Sequence, residues 1–249
     1  MDRKYKYNLK KDKEDINDSL FKNHKDYTKG ILPPKSVDLR PKMPPMWDQG
    51  NLGSCQSHAI DAIVSYIHGN SFDPSRLFTY YNVRMLENDI NDDCGGDLRT
   101  TCKAVAKYGV CPTSDCPYDI ANFTVKPSDI AYKDALSDEI YSYYRLNMLL
   151  EMELALAAGH LIMIGIEVYE SFESDECINT GIIPAPSGEQ LGGHAVVICG
   201  YNKGVNNDDS YFIIRNSWGT GVGLNGTGYF QISYTNLKAM LMDAWTVIK

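Results

Sequence analysis

Apolar positions change their spacing along the chain. Ile60, Ile63, Val64 and Ile67 recur at i, i+3, i+4 and i+7, which predicts a half-buried helix starting at Cys55, with Ser54 as its N-cap and His68-Gly69 as its end. Similar spacing predicts a second helix from about Pro74 to Leu86 and a third from Leu98 to Tyr108, stopped by Gly109. Residues 46–144 therefore read as a mainly helical lobe. One more helix, about Met148 to Ala158, precedes period-2 or continuous apolar runs at Leu161–Val168, His194–Cys199, Ser210–Ile214 and Gly228–Ser233. These predict the strands of a second lobe over about 145–235, to which 31–45 adds an N-terminal strand. The polar stretch Asn202–Asp209 reads as a surface hairpin connection, and the acidic run Glu173–Glu176 as a solvated loop. Residues 1–30 stand apart, crowded with Lys and Asp, poor in aliphatic residues and without the apolar centre of a secretory signal. Their composition suits a solvated tail.

At 249 residues and 43% hydrophobic, the chain can build one large domain or two lobes. No apolar stretch is long enough to span a bilayer, so a soluble protein without a membrane partner is expected. The formal charge of -8 argues against a nucleic-acid partner. Seven cysteines occur and none forms a Cys-x-x-Cys pair, so no structural zinc set, other metal or cofactor is expected. Cys111 and Cys116 would close a small loop only in an oxidising compartment. Cys199, inside a predicted strand, reads as a buried thiol. The Asn-x-Ser/Thr sequons at Asn17, Asn122 and Asn225 carry little weight without an export signal.

Candidate chemistry begins at Gln49-Gly-Asn-Leu-Gly-Ser-Cys-Gln-Ser-His58. Cys55 opens a helix, where backbone amides and the helix dipole favour a thiolate. His194, in Gly192-Gly-His-Ala-Val-Val-Ile-Cys-Gly-Tyr201, lies just ahead of an apolar strand, about 140 residues after Cys55. Asn216 closes another strand in Ile213-Ile-Arg-Asn-Ser-Trp-Gly-Thr220. The order is Cys, His, Asn. His58, three residues after Cys55, shares roughly the same side of the helix and is expected to pack, because no orienting Asn accompanies it.

These segments, together with Asp93-Cys-Gly-Gly-Asp-Leu98 and the glycine-rich Asn216–Phe230 block, resemble the papain-like cysteine peptidases from about Leu32 to near the end of the chain. The resemblance implies an α+β fold in which a helical lobe and a mainly antiparallel, β-barrel-like lobe enclose an active-site cleft. It implies Cys55 as nucleophile, His194 as general acid and base, Asn216 as orienter of the imidazole, and Trp218 as the indole that shields their hydrogen bond. Gln49 would join the Cys55 backbone N–H in receiving the oxyanion. Gly95 and Gly96 would pair with substrate backbone, while Leu98, Ala195 and, on a looser alignment, Gly165 would shape the pocket for the residue two before the cleaved bond. Expected partners are an extended polypeptide substrate and the protein's own N-terminal segment, on a monomeric, soluble enzyme. Leu32-Pro-Pro-Lys-Ser-Val-Asp-Leu-Arg40 resembles the start of the mature domain, which would make 1–30 a short inhibitory pro-segment and 31–249 the peptidase. The chain departs from the family at Leu52 and Gln56, where a cysteine and a tryptophan are usual, and at Val222, where an aromatic residue is frequent. Two rival functions use the same residues: a Cys-His-Asn amidase or acyltransferase, separable by product analysis, and an inactive binding protein on this fold, which would leave Cys55 unlabelled.

Overall fold

The computed structural model describes residues 5–28, 30–135 and 141–249; the remainder of the N-terminal extension, 1–4 and 29, and residues 136–140 of the expected helical lobe lie outside the described residues. Strand β1 (Ser36–Asp38) precedes helices α1 (Cys55–Ile67), α2 (Arg76–Leu86), α3 (Leu98–Tyr108) and α4 (Asp129–Ala135). Then come β2 (Ser142–Arg145), α5 (Leu149–Ala157), β3 (Ile162–Tyr169), α6 (Asp175–Thr180), β4 (Ile182–Ile183), β5 (Gln190–Asn202), β6 (Tyr211–Arg215), β7 (Tyr229–Ser233), α7 (Tyr234–Met240) and β8 (Leu241–Ile248).

The strands form one sheet in the order β2-β8-β3-β5-β6-β7-β4, with β1 added to the far end of β5. All pairings are antiparallel except β4 with β7. Irregular registers between β3 and β8 and between β3 and β5 bend the sheet. The outermost strands β2 and β4 do not pair with each other, so the expected barrel is an open, curled sheet. The sheet also reaches beyond residue 235: β8, which the apolar runs had not marked, lies between β2 and β3.

Both faces of the central strands are covered, which explains their continuous apolar runs. Successive side chains point to opposite faces. Ile162, Ile164, Ile166, Val196 and Ile198 join Phe172, Phe212, Trp218 and Phe230 in one core. Met163, Ala195, Val197 and Cys199 face the other way, onto Ile60, Ile63 and Val64 of α1 and Leu98 of α3. Burying each such aliphatic side chain contributes about 1.5–3 kcal/mol. Because α1 is wedged between this sheet face and α2 and α3, eleven of its residues are buried, and its polar ones, including Gln56, His58 and Asp61, are buried with the rest.

The helix boundaries have local causes. Ser75 and Asp97 cap α2 and α3 by accepting from the backbone N–H of Phe78 and Thr100 at 3.1 and 2.6 Å. Gly109 ends α3 with φ +69°, and a side chain there would collide with the Ala135 carbonyl oxygen of α4. Ser54 occupies the N-cap position of α1, but its hydroxyl does not cap; it lies 2.7 Å from the Tyr118 hydroxyl. The acidic run is also more ordered than a solvated loop: Ser174 caps α6, and Glu173 accepts from the Tyr7 hydroxyl at 2.5 Å. Residues 203–210 connect β5 to β6, exposed from Gly204 to Asp209, while Asn202 is the last residue of β5 and pairs with Tyr211. All seven cysteines are unpaired, Cys111 and Cys116 among them.

The N-terminal segment is not a solvated tail. Tyr5, Tyr7, Leu9, Asp12 and Phe21 are buried. From Tyr5 to Lys10 it runs between the helical and sheet halves, and from Asp12 onward it crosses α3 and the β2-β8 edge.

Candidate active site

Cys55 is the first residue of α1, and His194 lies on β5 where that strand passes the helix N-terminus. Pairing of β5 with β6 carries the chain to Asn216, one residue beyond β6, and His194 Nε2 lies 2.8 Å from Asn216 Oδ1. The carbonyl oxygen of Asn216 accepts, so the ring proton of His194 sits on Nε2 and Nδ1 carries the lone pair. Among the described residues, Nδ1 has no hydrogen-bond partner. The Cys55 thiol touches the backbone N–H of Ala195, the residue after His194. Trp218 lies over the imidazole with ring centroids 5.5 Å apart and planes 27° from parallel. Phe172, which the sequence did not single out, packs on Trp218 at 5.2 Å and closes the far side.

Gln49 is fully buried and fixed at both ends of its amide. Its Oε1 accepts from the Ser217 hydroxyl at 2.6 Å, and one N–H of Nε2 donates to the Leu52 carbonyl at 2.9 Å. Among the described residues the second N–H takes no further partner. Ser217 is a residue that sequence reasoning missed, although its place between Asn216 and Trp218 could have signalled a supporting role. Gln56 is buried beneath the cleft, with its Oε1 3.7 Å from the Cys55 sulfur. His58 packs as expected: it is buried, Nδ1 lies 3.1 Å from the Ser54 carbonyl, and its ring meets Tyr118 edge-on at 4.9 Å. Burial drives its pKa down to about 3, so it is a neutral imidazole.

The opposite wall carries Gly95 and Gly96. Asp93 steadies this turn by accepting from the Tyr80 hydroxyl at 2.5 Å and the Gly53 N–H at 2.9 Å. Gly95 has φ +70°, and a side chain there would strike the backbone of Asn8. Leu98, Ala195, Gly165 and Met242 meet around a depression that the Leu9 side chain fills.

The N-terminal segment bridges the two walls as an added strand. Leu9 N–H donates to Gly193 O at 3.0 Å, Gly193 N–H to Tyr7 O at 3.1 Å, and Lys10 N–H to Gly96 O at 3.0 Å. Tyr5 stacks on Trp218 at 4.6 Å, and Tyr7 meets His194 edge-on at 5.7 Å. Cys55 and His194 are fully buried in consequence. Burial pushes the thiol up to about 11 and the imidazole down to about 4, the latter against the opposing hydrogen bond from Asn216. Both groups are neutral at ordinary pH.

The chain matches the model of the papain family cysteine proteases over residues 33–246. It is 37% identical over 236 residues to an uncharacterized peptidase C1-like protein of Acanthamoeba polyphaga mimivirus, covering 88% of this chain and 74% of that one. Its structure superposes on xylellain, a cysteine protease from Xylella fastidiosa, with a TM-score of 0.84, 32% identity and coverage of 99% and 98%. A procathepsin B of Trypanosoma congolense shares the fold at a TM-score of 0.73 and 18% identity, covering 97% of this chain and 87% of that one.

Proposed function

The chain belongs to the papain family of cysteine proteases and is a thiol protease, and from that premise we propose that it cleaves peptide bonds through a thioester on Cys55 and that the arrangement described above is its latent form. The observation that carries the assignment is the 2.8 Å bond between His194 Nε2 and Asn216 Oδ1, which leaves Nδ1 as the imidazole nitrogen open to exchange a proton with the thiol. Withdrawal of the Tyr5–Lys10 stretch admits water, removes the burial that keeps both groups neutral, and lets the thiol proton pass to Nδ1.

The thiolate then attacks the scissile carbonyl carbon. Negative charge collects on the carbonyl oxygen, which receives the Cys55 N–H at the helix N-terminus and the second N–H of Gln49. One such donor typically contributes about 100- to 1000-fold in rate. His194 gives its Nδ1 proton to the leaving amine as the C–N bond breaks, leaving the thioester. It next takes a proton from water, whose oxygen attacks the thioester carbon and releases the acid and the thiol. Asn216 holds the ring through the cycle, and Trp218 keeps water from that bond.

The segment supports an apolar preference two residues before the cleaved bond, because Leu9 fills the depression formed by Gly165, Leu98 and Met242. A peptide-library profile favouring charge there would contradict it. The central test is reaction of the intact chain, and of one lacking residues 1–30, with a peptidyl epoxide, followed by mass mapping. Labelling at Cys55, stronger after truncation and lost in Cys55→Ala and His194→Ala, is expected; no labelling of either form would return the chain to the inactive binding fold.

A further inference from the structure

Some distance along the N-terminal segment from the cleft, the turn after Phe21 brings His24 and Asp26 against His160, in the connection between α5 and β3. We propose that these three side chains form a zinc site that staples the segment to the body of the protease. Their ligand atoms all lie within 4.8 Å of one another. Asp26 Oδ2 is 2.7 Å from His160 Nε2 and 3.6 Å from His24 Nδ1. His24 Nδ1 accepts the Asp26 backbone N–H at 3.2 Å, so Nδ1 carries a lone pair rather than a proton on the side where the carboxylate stands, and the ion takes that lone pair in place of this hydrogen bond. Two imidazoles and one carboxylate suit zinc, with water as the fourth ligand, and offer too few oxygens for calcium or magnesium.

The donors are held in place before any ion arrives. The fully buried Phe21 stacks on His24 at 5.8 Å and meets His160 edge-on at 6.2 Å, while Tyr144 packs on His24 at 4.8 Å. The backbone is tied as well: His24 N–H donates to Phe21 O at 2.8 Å and His160 N–H to Ala155 O at 2.9 Å. The side chains of His24, His160 and Asp26 are 11%, 18% and 33% exposed, which leaves an open side for the ion and its water. On binding, His160 ligates through Nε2 with its ring proton on Nδ1, so a proton that Nε2 offered to Asp26 passes through solvent to Nδ1 or, where Nδ1 already holds one, leaves to solvent. Because two ligands belong to the segment and one to the body, only the docked form binds. At free zinc 100 times Kd, the undocked population falls about 100-fold. That consequence rests on the reading of the segment as a cover; the metal site does not.

Calorimetric titration of the full-length Cys55→Ala chain with zinc chloride tests the site without the catalytic thiol. One equivalent is expected, with Kd raised at least about 10-fold by His24→Ala or His160→Ala. An unchanged Kd in the double variant with an intact circular dichroism spectrum overturns the site. Should the variants fail to fold, cobalt(II) added to the Cys55→Ala chain decides: ligand-field bands alone support the site, and thiolate-to-cobalt charge transfer overturns it. Hydrogen exchange at the Leu9 and Lys10 amides should slow in zinc; exchange unchanged at saturating zinc overturns the staple.

Discussion

The cleft-filling stretch Tyr5–Lys10 and the anchoring stretch Asp12–Asp26 hold the same segment by different physics. The first relies mainly on shape, with three backbone hydrogen bonds, two tyrosine rings on Trp218 and His194, and one leucine in a depression, and its ion pairs, Lys6 to Asp93 at 2.7 Å and Lys10 to Glu87 at 2.6 Å, use lysines that stay in water. The second uses buried charge. Asp12 accepts from Trp245 Nε1 at 2.7 Å and pairs with Arg145 at 3.1 Å, and Asp18 takes both Nε and Nη2 of Arg99 at 2.7 Å. Arg145 also holds Asp243 on β8. On the latent-form reading proposed above, blocking the site and gripping the body are separate tasks, and a cover that must leave should be weak where it meets Cys55 and His194 and strong where it does not.

Four experiments can break or sharpen that division. Deleting residues 1–30 removes both stretches and a tethered occupant at roughly millimolar effective concentration, so Cys55 labelling should accelerate on the order of 1000-fold. Equal rates with and without the segment would end the division outright. Asp12→Asn with Asp18→Asn strips the anchor alone. Breaking a buried pair costs about 3–5 kcal/mol, but the arginines regain water when the segment lifts, so about 2 kcal/mol, roughly 30-fold faster labelling of the intact chain, is expected. Tyr7→Ala attacks the cleft stretch while the anchor stays, and loss of its aromatic contacts, about 0.5–1.5 kcal/mol, should give tenfold or less. A larger effect from Tyr7→Ala than from the aspartate pair would reverse the assignment.

The fourth is pH. In the covered form the Cys55 pKa is raised above its ordinary 9.0 to about 11 by burial. A thiol raised in this way favours the covered form while protonated; that contribution is complete only below the pKa of the uncovered thiol beside His194, itself below 9, and is lost as pH rises through about 11. Iodoacetamide should therefore alkylate Cys55 of the intact chain only in strongly alkaline solution, and that of the truncated chain well below pH 9. Superimposable profiles would show that the segment does not set the state of the thiol. Asp12 sharpens where the charge acts: burial first, then Asp243, raises its pKa to about 6, so docking gains from its protonation, fully below about pH 4, and loses that gain as pH rises through about 6, and at neutral pH the anchor's charge acts mainly through Asp18 and Arg99.

Much of the fold was legible where neighbouring residues decide it. The spacing of Ile60, Ile63 and Val64 marked α1, and Gly109 marked the end of α3. Ser54 looked like a cap, yet Tyr118, distant in sequence, takes its hydroxyl. The strand β8 escaped because Asp243 and Thr246 interrupt its apolar pattern; both are buried and satisfied, by Arg145 and by the Leu161 carbonyl.

The sequence by itself determined which residues are candidates for thiol chemistry: the order Cys, His, Asn and the family motifs marked Cys55, His194, Asn216 and Gln49, and local pattern located a helix start at Cys55 and a strand end at Asn216. Only the tertiary structure decided their state. Whether Cys55 and His194 face water or a neutral, sealed interior depends on Tyr5 and Tyr7, which reach Trp218 and His194 from nearly the other end of the chain. The meeting of His24 and Asp26 with His160 is of the same kind. Burial and desolvation follow from contacts between segments far apart in sequence, and no local period records which of them will meet.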